Sequence, residues 1–157
     1  MAGTQLRYLV YCPLGLVAAL GFGASAWMCA ARDQWIGWTH EQRKQRLHLV
    51  VNNARFLIPP WVRSPNLASK IPGLIARRIA DDWTVAYSYA PFVLETFVQK
   101  PWPGTCYRAA NWRRLGETTG RGILGGKKPT LPIKAVFARP LTRSWRAILT
   151  APLDPIE

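Results

Sequence analysis

YLVYCPLGLVAALGFGASAWMCAA, the stretch from Tyr8 to Ala31, holds no charged residue and is closed at its two ends by Arg7 and Arg32. As a single helix it would be long enough to cross a bilayer, and Ala24-Ser25-Ala26 after an apolar run imitates a signal-peptide cleavage site. Against both readings, Cys12-Pro13 breaks the run early, Gly15, Gly21 and Gly23 punctuate it, and its densest apolar portion is short. Two buried strands joined by a turn have the same composition. Gln5 to Cys12 (QLRYLVYC) has the aromatic and branched residues that favour a strand. Leu14 to Ala26 follows at once, with glycines that allow a bulge or close backbone approach. Its alanines would also permit a helix. The expectation is a hairpin inside a cytoplasmic fold, and a small membrane-inserted protein is the reading left if the run is one helix.

Working outward, a chain of 157 residues with 49% apolar content suits one domain, residues 1–157, with a buried core. Lys and Arg number 21 against 8 Asp and Glu, a formal net charge of +13. Such an excess favours a polyanionic partner, nucleic acid ahead of an anionic membrane surface or charge kept only for solubility. Eight Trp, five Tyr and five Phe belong by default to the core, although such rings also stack on bases. Cys12, Cys29 and Cys106 form no CxxC pair, and His40 and His48 form no HxxxH or HExxH, so no metal site is expected. An odd number of cysteines without a disulfide framework points to a reducing compartment.

Thr39 opens a helix with Gln42 placed for a capping box. Leu47, Val50 and Val51 would be its apolar stripe, Arg43, Lys44 and Arg46 its solvent face, and Asn52-Asn53 its end. Arg55 to Ile58 reads as a short strand stopped by Pro59-Pro60. Asn66 is placed to cap a second helix with Leu67, Ile71, Leu74, Ile75 and Ile79 on one face, either starting near Ile71 or kinked at Pro72-Gly73. Asp81 to Pro91 would be a link, and Phe92 to Val98 a strand with Val93, Glu95 and Phe97 on one face. Thr105 would cap a third helix that Gly116 closes, stacking Tyr107, Asn111 and Leu115. A Gly-rich basic loop, Glu117 to Thr130, leads to a last strand at Ile133 to Ala138.

ARDQWIGW at Ala31, NNARFLIPP at Asn52, NLAS at Asn66, DDW at Asp81, LETFV at Leu94 and GTCYRAANWRRLGETTGRG at Gly104 together resemble the Druantia anti-phage system protein A family. That resemblance implies an accessory protein of a bacterial anti-phage defence system or transposable element, with other proteins of such systems as partners. It also implies an N-terminal part absent from this chain. The order of elements resembles the second half of the GNAT acyltransferase fold, which implies an α/β protein with a GNAT-like mixed central sheet and about three flanking helices. In that fold a strand-loop-helix junction offers N–H groups to the pyrophosphate of coenzyme A. The matching stretch is Ile58 to Ser69, making Arg63, Ser64, Asn66 and Ser69 the candidates for an acyl-CoA donor. The stretch lacks the Arg/Gln-x-x-Gly-x-Gly/Ala signature.

Glu95, mid-strand between apolar residues, must be paired or have its pKa raised. It is a candidate acid or base, with an ion pair to one of the arginines as the plainer reading. Asp81 and Asp82 could join it around a divalent metal, though carboxylates there are more often caps or solvated. Tyr107 and Asn111 could bind or protonate a substrate, or merely satisfy buried backbone. Cys106 lacks a nearby histidine to activate it. Arg32-Asp33 with Trp35 and Trp38 reads as a structural pair roofed by indoles, or as part of a pocket. Arg113 and Arg114 beside Trp112, with Arg121, Lys127 and Lys128 in the Gly-rich loop, could follow a phosphate backbone. The leading reading is nucleic-acid binding through these basic loops, and the alternative is an acyltransferase-like enzyme with Glu95 or Tyr107 handling the proton.

Overall fold

The computed structural model describes residues 3–64, 66–121 and 131–154. The uncharged run forms a hairpin: β1 (Gln5–Cys12) and β2 (Gly15–Ala24) pair antiparallel, and the run ends at the start of α1 (Ala30–Ile36). Alternation explains why it is sheet. Leu6, Tyr8 and Val10 of β1 pack on the core while Gln5, Arg7 and Leu9 are exposed, and Ala18, Leu20 and Phe22 of β2 are buried. Among the described residues no helix is long and apolar enough to cross a membrane.

The remaining elements are α2 (His40–Arg46), β3 (Val50–Leu57), α3 (Leu67–Tyr87), β4 (Val93–Gln99), α4 (Thr105–Ala109), β5 (Arg113–Glu117), β6 (Lys134–Pro140) and α5 (Trp145–Leu149). The six strands form one mixed sheet in the order β1-β2-β3-β4-β6-β5. The β3–β4 pair is parallel and every other pair is antiparallel. Two cores cover its two faces. Ile71, Ile75, Ile79 and Trp83 of α3, with Tyr107 of α4, pack on Leu20, Phe22, Val51, Leu94 and Phe137. On the other face, Ile36 of α1 and Trp145 and Leu149 of α5 pack on Val50, Val93 and Ala138.

Several element boundaries differ from the sequence reading. The Thr39–Gln42 capping box is present, but α2 stops at Arg46; Val50 and Val51, both branched, instead begin β3. Arg43, expected on the solvent face, is buried beneath Trp27, because Asp33 supplies a partner for its charge. Asp81 to Tyr87 continues α3 rather than linking it, and Pro72 lies within that helix. The third helix ends at Ala109. Asn111 then turns the chain with a left-handed φ of 70°, so Arg113, Arg114 and Leu115 lie on β5. Tyr107, Asn111 and Leu115 therefore share no helical face. Helix α5 lies beyond the last element expected from the sequence.

Strand direction fixes where the loops lie. Because β3 and β4 are parallel, and β6 runs antiparallel to both β4 and β5, the carboxyl ends of β3, β4 and β5 point the same way. The β1–β2 turn joins them at that end, since β2 runs opposite to β3.

Candidate functional site

Each face of the parallel pair holds one buried polar cluster. On the α3 side, β3 bulges against β2: Gly21 pairs with Arg55 and Phe22 with Asn53, leaving Ala54 as the extra residue. The Asn53 amide supplies donors where the bulge disrupts the ladder. Its Nδ2 donates to the carbonyls of Gly21 at 3.1 Å and Arg55 at 3.0 Å. Two carbonyl partners fix which end of the amide is nitrogen. Its Oδ1 then accepts from the Tyr107 hydroxyl at 2.6 Å, and Thr96 Oγ1 donates to the Asn53 carbonyl at 2.8 Å. The β3–β4 ladder ends at the Asn53–Thr96 pair, so this cluster occupies the place where the parallel strands part. Burial pushes the Tyr107 hydroxyl up to about 12. It is a neutral donor at ordinary pH, already committed to Asn53.

Glu95 lies on the opposite face, wholly buried. Its Oε1 accepts from Arg32 Nη1 at 2.8 Å and its Oε2 from the Ala26 amide at 3.1 Å. Arg32, equally buried, also donates to the Ala26 carbonyl at 2.6 Å and to Asp33 Oδ1 at 3.0 Å. Asp33 accepts further bonds from Trp38 Nε1, the Cys29 amide and Arg43 Nη1. Burial raises the Glu95 carboxyl above the usual carboxylate range, and the Arg32 guanidinium pulls it back. The arrangement ties the β2–α1 turn and α1 to β4. Arg32 and Asp33 are thus an ion pair with Glu95 as its third member, and Asp33 and Trp38 also line an open surface cavity with Met28, Gln34 and Arg43, so both sequence readings of this segment have a counterpart in the structure.

The sheet keeps the other carboxylates apart from this cluster. Asp82, on α3, accepts from the Tyr8 hydroxyl at 2.7 Å and from Arg78 Nε at 2.8 Å, and the bond to Arg78 holds its carboxyl below the usual range. Among the described residues no group of three or more His, Cys, Asp or Glu side chains is placed to hold a metal. Cys106 is half-buried, and burial pushes its thiol up. Asn111 is exposed in its turn, on a different element from Tyr107.

At the junction between β3 and α3, several of the N–H groups that could cradle a phosphate are engaged within the chain. Leu67 donates to the Ser64 carbonyl at 3.3 Å, while Ser69 and Lys70 donate to the Asn66 carbonyl at 3.2 and 3.0 Å. Ser69 Oγ donates to that same carbonyl at 2.9 Å. Asn66 is the cap residue, but in a left-handed conformation (φ 62°) and without a side-chain capping bond. Val62 donates to the Pro59 carbonyl at 3.0 Å, and Pro59, Pro60 and Pro65 have no N–H. Arg63 and Ser64 are exposed.

The basic residues fall into two groups. Arg113 pairs across the ladder with Ala138 and Arg114 with Phe137, residues of opposite cores, so the adjacent arginines point to opposite faces of the edge strand. Arg114 and Lys100 both bond Glu117, at 3.0 and 2.8 Å, whereas Arg113 is exposed. Arg121 is exposed as well; Lys127 and Lys128 lie outside the described residues. At the shared loop end, the described residues of the connections after β1, β3, β4 and β5 include Arg63, Lys100 and Arg121 and no Asp or Glu, and Glu117 closes β5 beside them.

Sequence reasoning missed Asn53, assigned to a helix end, and the two indoles of that loop end, Trp61 and Trp102. Asparagine is depleted in strands, so its place directly after Val50 and Val51 was the available signal. Trp61 and Trp102 were marked by flanking prolines, Pro60 and Pro101, which keep a chain in a loop.

The model of the Druantia protein DruA family matches residues 1–137. The chain belongs to that family. No curated protein matches the DruA chain. Among solved structures, it is similar to an N-acetyltransferase from Staphylococcus aureus Mu50, at 11% identity and a TM-score of 0.54 over 88% of this chain and 68% of that one. A GNAT-family acetyltransferase from Bacillus cereus gives 9% and 0.53 over 87% and 71%, and one from Streptococcus pneumoniae 11% and 0.54 over 88% and 67%. At such identities the likeness is one of fold, and this DruA chain has the mixed α/β architecture of the GNAT proteins.

Proposed function

We propose that this chain is a nucleic-acid-binding accessory protein of an anti-phage defence system or mobile element, holding its ligand at the loop end of the sheet. The observation that supports this reading is the segregation of charge. Among the described residues, the connections that converge at one end have three basic side chains, Arg63, Lys100 and Arg121, and no Asp or Glu of their own. Asp33 and Glu95 are consumed in the cluster on the α1 face and Asp82 is paired with Arg78 on α3, while Glu117, at the rim, is paired with Lys100 and Arg114. Arg63 and Arg121 are exposed, so phosphates approaching that end meet a net positive potential. Membership of the DruA family supports the defence setting.

The fold alone would favour an acyltransferase. The residues do not fit the donor, however. Coenzyme A needs free N–H groups at the β3–α3 junction, and there the amides of Leu67, Ser69 and Lys70 are engaged and three positions are proline. Tyr107 is buried and committed to Asn53, and Glu95 is sealed against Arg32, so neither faces solvent as an acid or base would.

The test is fluorescence anisotropy with labelled DNA over a range of salt. Affinity should fall steeply with salt, and the slope should drop by about one unit per charge when Arg63 and Arg121 are changed singly to Ala. Undetectable binding at low salt would sink the proposal.

A further inference from the structure

Resting on that reading, we infer that the ligand is unpaired nucleic acid, held by stacking of its bases on Trp61 and Trp102. Tryptophan is on average highly buried, and in this chain Trp38, Trp83, Trp112 and Trp145 obey. Trp61 and Trp102 do not: they are 77% and 71% exposed, the most exposed of the chain's tryptophans. Neither is part of a helix or strand. Trp61 follows β3 and Trp102 follows β4, so the direction of the parallel pair brings both loops to one end of the sheet, the end that has Arg63, Lys100 and Arg121.

Both indoles are fenced by prolines, as Pro59-Pro60-Trp61 and Pro101-Trp102-Pro103. Fixed φ angles before Trp61 and on both sides of Trp102 limit the loop conformations that binding would have to order. Lys100 adjoins this second loop and is anchored to Glu117 at 2.8 Å, which ties the Trp102 loop to the edge of β5. A rigid, solvent-facing indole beside a cation matches a base and its phosphate, and stacking needs no sequence reading because every base has a π-face.

The same geometry argues against duplex. In a duplex the faces of the bases are covered by their neighbours, and groove reading needs a projecting helix or ribbon. At this end the helix following β4, α4, is only 5 residues long, and α3, which follows β3, lies packed on the sheet through Ile71, Ile75, Ile79 and Trp83 rather than projecting from it. A single strand offers what the duplex hides. Leu14 in the β1–β2 turn, 98% exposed, extends the apolar part of the same rim.

The experiment titrates the full chain with a labelled oligothymidylate of about 20 nucleotides and with a duplex of equal length. The single strand should bind at least roughly tenfold more tightly and quench tryptophan fluorescence. Trp61→Ala and Trp102→Ala should each weaken single-strand binding by about 5- to 100-fold, the equivalent of one stacked base. Their salt slope should stay at the wild-type value, because no charge is lost, and their melting temperature should be unchanged because both side chains are exposed. If the arginine variants weaken binding but the two tryptophan variants bind as wild type, or if duplex is preferred, the stacking inference is overturned and the nucleic-acid reading stands. If neither probe binds at low salt, both fall.

Discussion

Glu95 and Thr96 are neighbours on β4, yet they belong to two clusters of different kinds. Across the sheet from each other, the Arg32–Glu95 cluster is ionic and closed, and the Asn53–Tyr107–Thr96 cluster is neutral and made of hydrogen bonds. The ionic one joins segments far apart in sequence, with the β2–α1 turn and α1 held to the centre of the sheet. The neutral one fills the gap left by a bulge and a parting pair of strands. The comparison teaches that Glu95 and Tyr107, the polar residues most suggestive of catalysis in the sequence, both have buried partners here, one tying α1 to β4 and the other joining β3, β4 and α4.

The largest expected effect comes from breaking the ionic side. Arg32→Met leaves the Glu95 carboxylate buried without its partner and should cost about 3–5 kcal/mol. The double variant with Glu95→Leu should recover part of that loss, measured by chemical denaturation; a double variant worse than the single one would refute the uncompensated-charge account. Gly104→Ala comes next. A Cβ there would lie 2.7 Å from two ring atoms of Phe137, at a φ of 70° that disfavours side chains, so a loss of about 1–3 kcal/mol is expected. Denaturation midpoints would again show it.

On the neutral side Tyr107→Phe should cost less, about 1–2 kcal/mol, because it removes one buried hydrogen bond and no charge. This variant also isolates a pH effect. The Tyr107 hydroxyl is raised from 10.0 to about 12 in the folded chain. The unfolded chain therefore loses its proton first, and the contribution is intact below pH 10 and lost as pH climbs toward 12. The stability gap between wild type and Tyr107→Phe should shrink over that interval by about 2 kcal/mol, enough to close it or reverse its sign. An unchanged gap at pH 9 and 11.5 would mean the hydroxyl is not buried as described. The smallest expected effect is that of coenzyme A: millimolar addition should leave the melting temperature where it was, since the β3–α3 amides are engaged. A clear upward shift would reopen the transferase reading.

Much of the fold was legible because alternation is a local signal. The hairpin at Gln5 to Ala24, the Thr39–Gln42 capping box and the strands around Glu95 and Val136 all follow from residues a few positions apart. The failures have one physical cause: tertiary contacts outvoted local pattern. Val50 and Val51 matched a helical stripe but are strand residues whose sheet partners lie at Val93, Leu94 and Ala24. Arg43 looked solvent-facing because Asp33, its partner, sits on another helix. The helix through Tyr107 was extended too far because Asn111 was read as a helix-face residue, although asparagine is a residue type that tolerates the left-handed turn it makes here. For the candidate site, the ion-pair reading of Glu95 was available from its apolar flanks, but its partner was not, since sequence does not tell which arginine crosses the fold. The tryptophans at Trp61 and Trp102 looked like core because their residue type is usually core.

The common direction of β3, β4 and β5 has a consequence for how such a protein can diversify. Lengthening or recomposing any one of three successive connections enlarges a single rim, and the hydrogen-bond registers of the sheet are left alone. Changes made independently in different connections accumulate on one surface, so its preferences can drift quickly while the scaffold beneath stays the same.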